Sequence, residues 1–212
     1  MTTTIPSLIP GTIYETIVTT SNKQCEPNAA PMGIILDKEN NIILQPYLQS
    51  DTFQNLWEKE RAIINFTQDP KLFTYCTLFQ DELSKNAFTK TKNQEDFFLT
   101  DCKKQYFVVK VITKKQDEKS GKAFFKCKII KSEFELLPHL PFTRAFSLLI
   151  EILIHSSRLL YFSTESNKTD TILEDLERII LEYAKIIRRV VPEESIYIEL
   201  LEKILKKLNL KE

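Results

Sequence analysis

Glycine is scarce in this sequence. The 212 residues include only Gly11, Gly33 and Gly121, each far from the others. A P-loop or a G-x-G-x-x-G turn needs several glycines within a few residues, so that backbone N–H groups can close on a phosphate. Both are absent, and with them Rossmann-type dinucleotide binding. Histidine is also rare. His139 and His155 lie in a different segment from Cys25 and Cys76, so no Cys–His nucleophile stands out, and neither does a Ser–His–Asp pattern or a carboxylate pair. Cys25, Cys76, Cys102 and Cys127 show no metal or redox spacing and read as free thiols of a reducing compartment. Charge of one sign is not in excess: 29 basic residues balance 29 acidic ones, which leaves no electrostatic footprint for nucleic acid. A long uncharged apolar run is missing too. The most apolar stretch, 142–162, carries Arg144, Glu151, His155 and Arg158, which argues against a membrane span. The first ten residues have neither the basic region nor the apolar run of a signal peptide. The expectation is a soluble, cytoplasmic protein with no metal site and no nucleic-acid or membrane partner.

What is present is ordinary globular material, with 42% hydrophobic and 27% charged residues. The length allows a barrel plus a smaller helical piece. The first half reads as strands. Residues 13–20 alternate apolar and polar with many β-branched side chains, and 28–36 and 42–45 follow on either side of a turn at Asp37 to Asn41. Residues 52–60 read as a short helix with Ser50 or Asp51 as N-cap, 62–67 as a buried strand, and 70–78 as a helix after an Asp-Pro turn. The polar, lysine-rich segment 80–101 reads as a surface excursion. Residues 104–114 and 122–137 then form a hairpin around Gly121. About seven strands with no long helix between them favour an antiparallel barrel over a parallel sheet.

From Pro141 the hydrophobic period becomes helical. Three helices are expected: 143–162; one starting at the capping box Thr171 to Glu174; and one starting at Pro192, with Glu193 and Glu194 in its first turn. Arg144, Glu151, His155 and Arg158 are offset by 7, 11 and 14 residues. At roughly 100° per residue these offsets put all four on one stripe of the first helix. The stripe is either a solvated face with Glu151 between two arginines, or a polar strip turned toward a ligand site.

Two stretches carry a family likeness. One is Tyr14 to Thr20 followed by Pro27-Asn28-Ala29-Ala30-Pro31-Met32-Gly33. The other is Gln45-Pro46-Tyr47 through Thr52, with Ile64-Asn65-Phe66-Thr67 and Phe73. Together with Phe142 to Ala145, they resemble a mainly archaeal family, a domain of unknown function with the FMN-binding split-barrel fold of flavin reductases. The resemblance spans about residues 12–160. It implies a mainly β fold with α, namely an antiparallel split β-barrel over 1–140 and a C-terminal helical region over 141–212 packed on it. It also implies bound FMN, a homodimer with FMN near the interface, and hydride or electron transfer to a small-molecule substrate the sequence does not identify. A flavin-binding module without turnover, or a barrel for another phosphorylated ligand, are the alternatives.

The candidate FMN contacts are Asn28, Ala29, Ala30, Pro31, Met32, Gly33, Gln45, Tyr47, Ser50, Thr52, Asn65, Phe66, Thr67 and Arg144. Their chemistry suits the role. Asn28 and Asn65 offer paired donors and acceptors to a pyrimidinedione. Pro31 lacks an N–H and shapes a strand edge, while Gly33 permits close approach. Ser50 and Thr52 stand at a helix N-terminus, where hydroxyls and free amides form a phosphate site without glycines. One departure concerns the stretch before Thr52. A basic residue is common there in the family, but this chain has Gln49 and Asp51. Arg61, Lys71 and Arg144 are left as alternative partners for the phosphate charge.

Overall fold

The structure is a computed structural model that describes residues 10–11, 13–92, 96–134, 144–164, 170–191 and 193–210. Its elements are β1 (Ile13–Ser21), β2 (Pro27–Leu36), β3 (Asn41–Leu44), α1 (Asp51–Lys59), β4 (Arg61–Asn65), α2 (Pro70–Leu78), β5 (Phe88–Lys90), β6 (Phe97–Leu99), β7 (Gln105–Asp117), β8 (Lys122–Phe134), α3 (Arg144–Phe162), α4 (Asp170–Val190) and α5 (Ile196–Lys207). The chain divides into two compact units, Met1–Thr67 with Leu83–Leu137, and Gln68–Glu82 with Pro138–Glu212.

In the first unit six strands close into an antiparallel barrel in the order β1-β2-β3-β8-β7-β4. Side chains alternate along each strand, so one set fills the interior. Val18, Ile34, Leu36, Ile42, Leu44, Ala62, Ile64, Phe107, Val109, Phe125 and Cys127 form that set, all nearly or fully buried. A fully buried large apolar side chain contributes about 1.5–3 kcal/mol, so this cluster is the main stabiliser of the unit. Helix α1 adds Leu56, Phe53 and Trp57 to the same cluster. The Trp57 ring meets Phe125 edge-on at 6.1 Å. Ser50 caps the helix by accepting from Phe53 N, and Glu60 ends it in the left-handed conformation.

The strand-rich first half and the hairpin at Gly121 match the sequence expectation, and Gly121 takes the positive φ of 66° that the turn requires. The excursion at 80–101 is less exposed than its polarity suggests. Phe97, Phe98 and Leu99 are buried, and Phe98 stacks on Tyr106 at 4.8 Å. Buried Asp96 is held by Arg61 through Nε and Nη2.

The second unit is helical, with α3 packing along α4 and α2 touching α3 and α5. Helix α3 has the length and composition of a membrane span, at mean hydropathy 1.4. Its buried side, Leu149, Ile152, Leu153, Ser156 and Leu159, packs within the unit. Arg144, Glu151 and Arg158 are exposed, and His155 lies at the boundary with Nε2 3.9 Å from Glu151. The charged stripe thus lies on the exposed side of α3. Two expected helix starts need correction. Helix α4 already includes Asp170, so Thr171 is inside the helix rather than its cap. Helix α5 starts at Ile196 because Ser195 caps it by accepting from Ile198 N. Glu193 and Glu194 therefore precede the helix, and Pro192 lies outside the described residues.

Candidate functional site

Strand β2 pairs with β1 from Ile13↔Ile35 to Ser21↔Pro27, leaving only Leu36 of β2 beyond the ladder. On its other side it pairs with β3 only at Ile35↔Ile43 and Leu36↔Ile42. Among the described residues no strand covers that side from Pro27 to Ile34. The chain after β3 explains the gap, because it stays with β8. Ala123 N donates to Pro46 O at 2.9 Å, Leu48 N donates to Gly121 O at 3.0 Å, and Tyr47 bridges to Lys122. The barrel is thus split between β2 and the segment 45–50, and the string from Asn28 to Gly33 runs along the split. Pro31 and Gly33 sit on this edge strand, where a missing N–H and a missing side chain are tolerated.

The split closes at one corner on α1. Asn28 Nδ2 donates to Thr52 Oγ1 at 3.1 Å. Across the β1–β2 ladder Asn28 stands opposite Thr20, whose hydroxyl accepts from Asn55 Nδ2 at 3.0 Å. Two asparagines, one from the strand and one from the helix, therefore fix α1 with its N-terminus beside Asn28. Asn28 is partly exposed, whereas Thr52 is buried. Ser50 is the N-cap. Its hydroxyl donates to Tyr47 O at 2.8 Å and accepts from Phe53 N at 3.2 Å. That occupies the hydroxyl in shaping the helix start.

Asn65 is placed differently from the expectation. It is fully buried, with Nδ2 donating to Ile17 O at 2.8 Å and Thr19 Oγ1 at 3.1 Å, and Oδ1 accepting from Leu99 N at 2.9 Å. Its amide fastens β4 to β1 and β6 rather than facing a ligand. Phe66 turns to the barrel core, edge-on to Phe107 at 4.9 Å and Phe134 at 5.1 Å. Thr67 is the last residue of its stretch of the barrel unit, and Arg144 is exposed in the first turn of α3 in the other unit. Of the proposed phosphate partners, Arg61 is paired with Asp96, and Lys71 belongs to the helical unit.

The structure supplies other cations beside the expected residues. Gln45 lines an open groove of about 620 Å³ with Lys115, Asp117, Ser120, Lys122 and Phe124. Lys122 Nζ stands 5.1 Å from the centroid of the Tyr47 ring. These lysines come from the β7–β8 hairpin, some 70 residues after Gln45, and no local sequence signal links the two. Among the described residues no group of three or more His, Cys, Asp or Glu side chains could hold a metal ion.

Comparison with solved structures places the fold. An FMN-bound protein of Methanosarcina mazei superposes with a TM-score of 0.72 at 22% identity, over 91% of this chain and 95% of that one. A flavoredoxin of Methanosarcina acetivorans gives a TM-score of 0.49 at 14% identity, over 65% of this chain and 79% of that one. The fold is the split barrel with C-terminal helices. The description "Protein of unknown function (DUF447) N-terminal domain" matches residues 14–135 and "Protein of unknown function (DUF447)" matches residues 143–206, so the chain belongs to the DUF447 family.

Proposed function

We propose that the barrel unit binds FMN along the uncovered edge of β2 and serves as a flavin-dependent oxidoreductase, working as a homodimer. The observation that carries this reading is the second side of β2, where β3 pairs only with Ile35 and Leu36 among the described residues, together with the Asn28–Thr52 corner. The donor set fits the cofactor. A strand edge offers alternating N–H and C=O groups to the pyrimidine side of an isoalloxazine, much as it would to an added strand. The first-turn amides of α1 and the Thr52 hydroxyl suit a phosphate, and the helix dipole adds to them. Lys115 and Lys122 line the groove at Gln45 together with Asp117 and are the cations of that groove. The groove volume of about 620 Å³ lies in the range of small-molecule sites. The similar Methanosarcina mazei protein is described as FMN-bound.

Bound FMN supplies hydride or electron transfer through its N5 position. This chain's residues contribute binding and orientation. Asn28 holds the α1 corner, Pro31 and Gly33 keep the edge open, and the Tyr47–Lys122 pair borders the groove. The test is the absorption spectrum of the purified protein before and after FMN addition. Bands near about 375 and 450 nm, lost under anaerobic NADH or NADPH, support an oxidoreductase. A yellow protein that neither nucleotide reduces points to a flavin carrier. A colourless protein that takes up no FMN overturns the reading.

A further inference from the structure

A second cavity, of about 320 Å³, opens at the other end of α1. Lys59, in the last turn of that helix, reaches into it. Its Nζ lies 3.1 Å from Ser21 Oγ and 3.6 Å from Cys25 Sγ. Those partners are a hydroxyl and a thiol, and no carboxylate pairs with Lys59 among the described residues. The second cation of the cavity is already balanced, since both Asp96 oxygens hold Arg61. Among the described residues, Lys59 is therefore the cation of this cavity that no carboxylate pairs with.

The hydroxyls point the same way. Thr20 is 4% exposed and Ser21 6%. Each accepts one hydrogen bond, from Asn55 and Lys59 respectively. Neither donates its own proton to an acceptor among the described residues. Buried hydroxyl protons ordinarily find acceptors, and here two of them line a cavity with an ammonium that has donors to spare. Phe97 forms an apolar wall, and Lys90 Nζ stands 5.5 Å from its ring centroid. Lys59 also complements the negative end of the α1 dipole. That role accounts for the charge but not for the undonated protons of Thr20 and Ser21.

We propose that this cavity binds a small oxyanion, the phosphate or carboxylate group of a ligand, with the ligand's apolar body against Phe97. Its three donors are Lys59 Nζ, Ser21 Oγ and Thr20 Oγ1. Lys59 stands at the opposite end of α1 from Thr52, about 13 Å along the helix, and Thr20, opposite Asn28 across the β1–β2 ladder, is the donor nearest the flavin corner. It does not depend on the flavin reading.

Cys25 gives a local readout. It is exposed, whereas Cys76, Cys102 and Cys127 are buried. Its alkylation by N-ethylmaleimide is followed at constant ionic strength with rising inorganic phosphate in one series and benzoate in another. Saturable protection by either anion is the expected result, and the more effective one identifies the oxyanion class. Lys59→Ala is expected to weaken protection about tenfold or more, since a charge-assisted hydrogen bond is lost. Ser21→Ala is expected to weaken it less, and Lys128→Ala, on the exposed side of β8, to leave it unchanged. An alkylation rate indifferent to both anions, or equal protection in Lys59→Ala, overturns the proposal. FMN uptake, read from absorbance in the same samples, is expected to be unaffected by Lys59→Ala, so the two readings fail independently.

Discussion

Asn28 Nδ2 donates to Thr52 Oγ1 across 3.1 Å, joining an edge strand to the first turn of the helix that follows it. The bond fixes where the uncovered edge of β2 meets the N-terminus of α1. A ligand with a planar hydrogen-bonding ring at one end and a phosphate at the other matches that junction. The scarcity of glycine fits the same picture, because side chains and helix amides take the place of a phosphate loop.

Replacing either partner is expected to weaken FMN binding more than it weakens the fold. Asn28→Ala and Thr52→Val each remove one hydrogen-bonding group at the corner, and each is expected to raise the FMN Kd by about tenfold. Quenching of flavin fluorescence on titration measures this. Asn28 is partly exposed, so its variant is expected to lose no more than about 1 kcal/mol of stability. Unchanged affinity in both variants would move the cofactor away from this corner.

Asn65 is expected to behave in the opposite way. Removing its side chain strands the Leu99 N–H and the Ile17 carbonyl in a buried place. Asn65→Ala is therefore expected to cost about 2–3 kcal/mol, the penalty for leaving buried groups unpaired. The measurement is the urea midpoint of the apo protein. A loss below about 0.5 kcal/mol, within the range of ordinary surface substitutions, would contradict the fastening role.

The contrast between the two asparagines shows what the sequence made legible. Both stand in strands beside apolar residues, and both offer the same amide. Asn28 lies on a strand whose second side meets β3 only at Ile35 and Leu36 among the described residues, while Asn65 is enclosed by β1 and by the excursion at Phe97 to Leu99, more than 30 residues later. Local pattern identified the barrel strands, a helix cap at Ser50 or Asp51 and the turn at Gly121, because each depends on residues within a few positions. It did not identify the fate of Asn65, the buried role of Asp96 or the lysines beside Gln45. Those depend on which distant segment covers which face, and polarity alone made 80–101 look like surface. The start of α5 shows the same competition at short range, where Ser195 supplied a side-chain cap and Pro192 could not.

The turn between β2 and β3 carries a pH-dependent contribution. Burial acts to raise the Asp37 carboxyl, but the Asn41 amide, Lys126 and the Glu39 amide outweigh it and hold the group down at about 2, from an ordinary 3.8. Oδ1 accepts from Glu39 N and Asn41 N at 2.8 Å each, and Oδ2 faces Lys126 Nζ at 3.0 Å. The folded value is depressed, so the stabilisation is complete above 3.8 and is lost as the pH falls toward about 2. Asp37→Asn is expected to cost about 1 kcal/mol at neutral pH. The urea midpoints of variant and parent are expected to converge in acid, and a gap that persists unchanged at the lowest pH would count against this linkage.

His155 gives the helical unit a response to acid in a different range. Its Nδ1 is buried without a hydrogen-bond partner among the described residues, and Tyr183 of α4 stands 6.0 Å away between ring centroids. Burial lowers its pKa below the ordinary 6.5, Arg158 lowers it further, and Glu151 works in the other direction. The ring is therefore held neutral in the folded chain more firmly than in the unfolded one. Its contribution is complete above pH 6.5 and declines as the pH falls through the lower folded value. His155→Leu keeps an apolar side chain against Tyr183 and removes the titration. Thermal melts followed by circular dichroism at neutral pH and at about pH 5, a range in which histidine titrates, are expected to show a smaller acid-induced drop in Tm for the variant. An equal drop in both proteins would assign the acid sensitivity to other groups.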